Sequence, residues 1–233
     1  EQIVKTNLVC TVSTALKDYF VKRHDFDSQK ILVTPNAINP DSIKLESDYS
    51  IIEKDNLQNC FVFGFVGSIF EHHGVNSLIS AFSKLVVSVP QRKLRLLIVG
   101  SGEPLEKLKQ QADNFGLSDK VIFTGSVPHS QVYNHIDVMD VCVLARSNWY
   151  GSPIKIFEYG ALGRAIVAPD IVPVKDVVEH EEHAILCGPE VDQIMGGMLN
   201  LLENPMLGEK IASNFKQKIN DMHTWGKTVE IVL

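Results

Sequence analysis

The sequence predicts an α/β fold built on an open parallel sheet with helices on both faces. Three observations carry that expectation. Apolar runs rich in β-branched residues recur at 61–66, 94–99, 121–124, 141–145, 165–168 and 184–186, with starts 33, 27, 20, 24 and 19 residues apart. Between them lie segments of helical spacing, such as Leu78, Phe82, Leu85 and Val86, or Leu105, Leu108 and Ala112, each long enough to cross back over a sheet. The runs are continuous rather than alternating, so both sheet faces must be covered. In such a sheet ligands sit beyond the carboxyl ends of the strands, which directs attention to the loops that follow them.

The elements follow in chain order. Residues 8–12 and 31–34 are expected strands around a helix at 14–21. One βαβ unit buries too little to stand alone, so residues 1–40 are expected to be the last βαβ unit of a preceding domain. Residues 41–58 are then a polar linker and 59–233 the main domain. Helices at 191–202 and 205–222 close the chain, with Trp225 opening a last apolar turn. No internal repeat or low-complexity tract appears. The chain opens on Glu1-Gln2-Ile3-Val4 without Met or signal-type patterning, and is expected to be a fragment.

Composition narrows the function classes. The 233 residues carry 22 Lys plus Arg against 28 Asp plus Glu, a formal charge of −6. At 45% hydrophobic and 21% charged residues the chain is of ordinary globular type, which excludes wholesale disorder, collagen and coiled coils. An acidic balance argues against a nucleic-acid partner. No apolar run approaches the ~18 residues of a membrane helix. Cys10, Cys60, Cys142 and Cys187 form no close pair, and are expected to be buried free thiols in a reducing, cytoplasmic compartment.

Three loops are candidates for chemistry. Phe63-Gly64-Phe65-Val66-Gly67-Ser68, followed by Glu71-His72-His73-Gly74, runs from a strand into a glycine loop before a helix. Glycine lets backbone amides approach an anion, and a helix N-terminus adds about half a positive charge. A turn that simply needs glycine explains the pattern as well. Val99-Gly100-Ser101-Gly102-Glu103-Pro104 repeats it, with Pro104 near the first position of a helix. It lacks the full G-x-G-x-x-G of a dinucleotide site, and a helix-capping turn accounts for it equally.

The third loop is the most informative. After the strand at 141–145 come Tyr150-Gly151-Ser152-Pro153-Ile154-Lys155-Ile156-Phe157-Glu158-Tyr159. Ser152 as N-cap and Pro153 at the first helical position make a helix start. Its free amides and Lys155 form a site for a diphosphate, and Glu158, ~4.5 Å further along the axis, is placed to accept hydroxyl hydrogens from a ribose. Ile154, Phe157 and Ala161 make the expected buried stripe. An ordinary i,i+3 salt bridge between Lys155 and Glu158 is the competing explanation.

This segment, with Gly163-Arg164-Ala165-Ile166-Val167-Ala168 after it, resembles the donor-site helix of family 4 retaining glycosyltransferases of the GT-B fold. Val12-Ser13 and Thr34-Pro35-Asn36 resemble the end of that family's first domain. Phe65-Val66-Gly67-Ser68, Val99-Gly100-Ser101-Gly102 and Phe123-Thr124-Gly125-Ser126-Val127 resemble three successive donor-site loops of its second. The resemblance implies a Rossmann-like half of a GT-B fold that binds a nucleotide-diphosphate sugar through Gly67, Ser68, Gly100, Gly102, Val127, Tyr150, Gly151, Ser152, Pro153, Ile154, Lys155 and Glu158. Glu158 matches the second glutamate of the family's Glu, seven residues, Glu pattern, whereas the first falls on Tyr150. The family's diphosphate-binding Arg and Lys fall on Ser68 and His73.

The implied reaction is metal-independent hexosyl transfer with retention, with Lys155, Glu158 and His73 in the catalytic site and no cofactor beyond the donor. The donor loops hold no Asp-x-Asp. The acceptor, whether carbohydrate, glycolipid or small molecule, would bind the missing first domain, which would also govern any peripheral association with the inner membrane face. That places the chain in polysaccharide or related biosynthesis and leaves the isolated fragment without turnover. A nucleotide-sugar epimerase of the same fold and a non-catalytic nucleotide-sugar-binding module stay open beside it.

Overall fold

The computed structural model describes residues 8–45, 51 and 57–233. The first unit is small: β1 (Val9–Thr11), α1 (Thr14–His24) and β2 (Ile31–Val33), with the strands parallel and Val9 opposite Ile31. Ser13 starts α1 by accepting the Leu16 amide at 3.1 Å, the arrangement that relieves an orphan donor of the first turn.

The main body is a six-stranded parallel sheet of β3 (Phe61–Val66), β4 (Leu94–Val99), β5 (Val121–Gly125), β6 (Val141–Val143), β7 (Ala165–Pro169) and β8 (Ile185–Cys187), in the order β5-β4-β3-β6-β7-β8. The crossover helices are α2 (Val75–Ser88), α3 (Leu105–Asn114), α4 (His129–Asp137), α5 (Ile154–Ala161) and the short α6 (Val172–Lys175). The chain ends with α7 (Val191–Glu203), α8 (Pro205–Met222) and α9 (Trp225–Val232). This is the expected open parallel sheet of Rossmann-like type. Strand direction reverses its march between β3 and β6, and that switch point is where such sheets open a crevice for ligands.

The reason for the layering is visible in the burial. Val62 to Val66 in β3 and every residue of β7 are buried, so side chains pointing to opposite faces are equally covered. Helix α2 packs on α7, and α5 on α8 and β7. Phe63, Phe65, Phe82, Phe157 and Phe215 are almost wholly inaccessible, each stabilising the fold by about 1.5–3 kcal/mol through burial.

The strands at 61–66 and 94–99 fall where the pattern puts them; the others shift by one or two residues at an end. Several details differ. Pro104 is itself the N-cap of α3. Of the four cysteines, only Cys142 is buried; Cys60 and Cys187 are partly exposed and Cys10 is exposed, and none of the four forms a disulfide. Cys10 lies in a two-stranded sheet with little over it, which apolar sequence alone does not reveal. Much of the expected linker, 46–50 and 52–56, lies outside the described residues. Its described remainder includes a 3-10 turn at Pro40–Ser42 and Leu57, which is buried in the main core. Just before it, Ile38 donates its amide to His223 O at 3.0 Å and bridges to Thr224, so the start of α9 touches the segment leaving the first unit.

Candidate functional site

Beyond the ends of β3 and β6 the loops converge on Lys155. The Gly67 backbone has φ +128°, and a Cβ there would lie 2.7 Å from Lys155 Cε. Glycine is therefore required both by conformation and by the lysine stem that passes over it. The Lys155 ammonium stands 5.4 Å from the Phe65 ring centroid and 3.4 Å from His73 Nε2. On its other side His73 Nδ1 is 2.8 Å from Ser68 O. A carbonyl only accepts, so Nδ1 carries the proton and Nε2 presents its lone pair to Lys155.

The electrostatics agree with that tautomer. Burial, then the neighbouring Lys155 ammonium, push the His73 pKa down to about 4. His73 is thus uncharged at neutral pH, and the cationic help to a diphosphate expected from it is absent; it acts as the acceptor that orients Lys155. Burial also lowers the Lys155 pKa, with Glu158 opposing the shift. Among the described residues the three ammonium protons serve one histidine lone pair, which leaves two for an anionic ligand.

Glu158 lies one turn along α5, half-buried, its carboxyl pKa raised by burial against the pull of Lys155 and His129. Among the described residues Glu158 forms no ion pair with Lys155, whose ammonium faces His73 instead, so the simple i,i+3 salt bridge is not what these two side chains make. Tyr133, whose hydroxyl is held up by burial and then by the Glu158 charge, and His129 at the start of α4 mark the other wall. Val127 sits in the loop leading to that wall, partly buried.

The start of α5 departs from expectation. Pro153 holds the cap position, and Ser152 does not cap the helix: its hydroxyl accepts the Asn36 amide at 3.1 Å and its carbonyl the Asn36 side chain at 2.6 Å. The tertiary partner outcompetes the local one. Ile154 is 56% exposed, and the buried stripe is made by Ile156, Phe157, Tyr159, Gly160 and Ala161. The fully buried Tyr159 accepts the Val66 amide at 2.9 Å through its hydroxyl, which pins α5 to the end of β3. By position, the amides of Ile154 and Lys155 have no acceptor inside the helix.

Gly67, Ser68, His73, Lys155 and Glu158 are therefore brought together. Gly100 and Gly102 turn their Cβ direction toward the first loop rather than toward Lys155. A Cβ on Gly100 (φ +132°) would land on Gly67 O, and one on Gly102 on Ile69 O. Their loop instead props up the first, with Gly67 N donating to Val99 O and Ile69 N to Ser101 O, each at 2.9 Å. The Tyr150 ring is 45% exposed against Trp149 and its carbonyl accepts Ser13 Oγ at 2.6 Å; Gly151 N is held by Asn148 Oδ1. Phe65, Tyr159 and Asn36 do work at the site that sequence reading did not assign. Tyr159, a polar residue on the apolar face of α5, was the one detectable signal.

An Asp-x-Asp does occur outside the donor loops, at Asp25-Phe26-Asp27. It ends α1, where Asp25 is the left-handed cap and Asp27 accepts the Gln29 amide at 2.9 Å, a capping role. Among the described residues no group of three or more His, Cys, Asp or Glu is placed to hold a metal, and no helix is long and apolar enough to cross a membrane.

Comparison with known proteins gives the family and the fold. The uncharacterized glycosyltransferase MJ1069 of Methanocaldococcus jannaschii is 27% identical over 230 residues, 97% of this chain and 57% of its own length. The gpi3 subunit of phosphatidylinositol N-acetylglucosaminyltransferase from Schizosaccharomyces pombe is 21% identical, over 94% of this chain and 46% of its own. The chain thus spans about half the length of such relatives. The structure of Anabaena HepE in complex with UDP superposes with a TM-score of 0.84 at 20% identity, covering 97% of this chain and 61% of that one. The C-terminal domain of LpcC from Francisella tularensis gives 0.68 at 18% identity, covering 81% of this chain and 99% of that domain. Residues 60–204, more than half of the chain, match the Glycosyl transferases group 1 family, and the chain belongs to it.

Proposed function

We propose that the chain is the donor-binding part of a retaining, metal-independent glycosyltransferase that moves a hexosyl group from a nucleoside-diphosphate sugar to a hydroxyl acceptor. The observation that carries this is the convergence, beyond the ends of β3 and β6, of the Lys155 ammonium, the first-turn amides of α5 and the half-buried Glu158 carboxylate. The diphosphate lies on Lys155 and the first turn of α5, the ribose hydroxyls on Glu158, and the base against the segment around Val127. HepE holding UDP in the corresponding fold supports the donor class.

In the reaction the donor C1–O bond to phosphate breaks while the acceptor oxygen bonds C1 on the same face. The acceptor proton passes to the leaving phosphate oxygen. Charge therefore builds on the diphosphate, where Lys155 and the helix amides stabilise it without reorganisation. His73 contributes through Lys155. No side chain is needed as base.

Residues 1–40 belong to the acceptor domain and 59–233 to the donor domain, joined by 41–58. Alone, the chain binds donor and transfers little, because acceptor and donor must be held in one cleft. Four cysteines outside any disulfide accord with the cytoplasm, where a preceding domain brings the enzyme to the inner membrane face for polysaccharide or glycolipid assembly. Tyr150, which supplies no carboxylate beside the donor, favours a second reading, a nucleotide-sugar-binding module without turnover.

Calorimetric titration with UDP, GDP and ADP, with and without magnesium, tests the proposal. Binding of one diphosphate without magnesium, weakened in Glu158→Gln, is expected. Magnesium-dependent binding would sink the metal-independent reading, and unchanged affinity in Glu158→Gln would sink the site. Transfer assayed with a chain extended by its preceding domain separates enzyme from module.

A further inference from the structure

Among the described residues, hydrogen bonds join the first βαβ unit to the main body at three places, and they differ in what they hold. The Thr14 amide donates to Asp176 Oδ2 at 2.7 Å, just after α6. Ile38 N meets His223 O at the start of the last helix. The third junction is the loop that becomes α5. There the Asn36 amide donates to Ser152 Oγ and its side-chain Nδ2 to Ser152 O, while Ser13 Oγ donates to Tyr150 O and accepts the Leu16 amide. The Tyr19 and Trp149 rings pack at 5.6 Å alongside.

One residue, Asn36, therefore grips both the hydroxyl and the carbonyl of Ser152. Two bonds to one residue fix the rotation of the Ser152–Pro153 peptide, which a single bond leaves free. The proline ring limits the next torsion, so the peptide plane sets the direction in which α5 leaves. Lys155 and the open amides lie in the first turn after it. Ser152 is buried, so both bonds are made away from the open surface.

We infer that Asn36 is a positioning residue of the donor site: it holds the first turn of α5, and with it Lys155, in the arrangement that receives a diphosphate. This rests on the donor-site reading above. It also means that donor affinity depends on where the first unit sits, since Asn36 belongs to that unit and Ser152 to the main body.

The test is diphosphate affinity in the whole chain, titrated with UDP, GDP and ADP at a temperature where every variant is folded. Asn36→Ala is expected to weaken the bound diphosphate by roughly tenfold, the scale of a slightly misplaced binding group. Ser152→Ala, which removes one of the two bonds, is expected to weaken it less, with Ser152→Thr restoring it; this series stands in if Asn36→Ala does not fold. Asp176→Ala removes a bond of the same unit away from α5 and is expected to lower the melting temperature while leaving affinity within about twofold. A parent that binds while Asn36→Ala and Ser152→Ala bind equally well overturns the inference and leaves the donor site standing. So does an Asp176→Ala loss as large as that of Asn36→Ala, which would assign the effect to docking of the unit as a whole. A parent that binds none of the three diphosphates removes the donor-site reading, and this inference with it.

Discussion

The loop after β3 and the loop after β4 look alike in sequence, each a strand running into Gly-x(-Gly) before a helix, yet they need glycine for different reasons. Gly67 makes room for the stem of Lys155, a flexible side chain that reaches the ligand crevice. Gly100 and Gly102 make room for the backbone of the first loop itself. One glycine serves the site and the other two serve the scaffold beneath it. A glycine loop after a strand is thus a statement about close approach, and only the neighbour tells whether ligand or protein does the approaching.

Alanine at these positions should separate the two roles most sharply. Gly100→Ala meets both a positive φ and an immovable carbonyl, and is expected to destabilise the fold by about 3 kcal/mol or more. Gly67→Ala pays the same torsional cost but meets a side chain that swings away, so its stability loss should be smaller and its loss of diphosphate affinity larger. Chemical denaturation with calorimetry on both variants checks the pair. Equal stability losses, or preserved affinity in Gly67→Ala, would erase the distinction.

The side chains that the first loop accommodates come next in size. Lys155→Ala and Glu158→Gln should each weaken diphosphate binding by about 1–3 kcal/mol, the scale of hydrogen bonds to charged groups, with little change in melting temperature. If both variants bound every nucleotide like the parent, the crevice would belong with the scaffold. Tyr159→Phe is expected to cost about 1–2 kcal/mol of stability, because the Val66 amide loses its buried acceptor. A variant as stable as the parent would show that α5 is held by packing alone.

How far the sequence could be read follows the same division between local and tertiary causes. Continuous apolar runs placed β3 and β4 to the residue, because burial on both faces leaves a period that needs no partner to interpret. Lys155 and Glu158 were legible from their helical spacing. Ser152 was not, since the cap rule is local and the winning partner, Asn36, lies 116 residues away. Ile154 and Phe157 look alike in an apolar count, but only the second is buried, its ring 5.5 Å from that of His223 beyond the end of α8. The charge on His73 was hidden for a similar reason: its acceptor, Ser68 O, and its neighbour, Lys155, come together only when two loops meet.

His73 supplies the smallest effect and the finest test of the first loop. Its pKa in the fold is about 4 against an ordinary value of 6.5, with burial the main cause and Lys155 the second. Between those two pH values an unfolded His73 takes up a proton and the folded one does not. Its contribution to stability is therefore fully present above pH 6.5 and is lost as pH falls through 4. His223, also pushed down to about 4 by burial, acts in the same direction, so the parent's acid sensitivity has more than one source and the informative quantity is a difference. His73→Gln removes one titrating group and keeps an acceptor within reach of Lys155. Melting temperatures of parent and variant, measured from pH 7 to pH 4, should draw together as the pH falls, because only the parent carries the His73 penalty. A gap that stays constant across that range would mean that His73 titrates like a surface histidine, and the first loop would then present a cation beside Lys155 below pH 6.5 in place of the neutral acceptor that orients it.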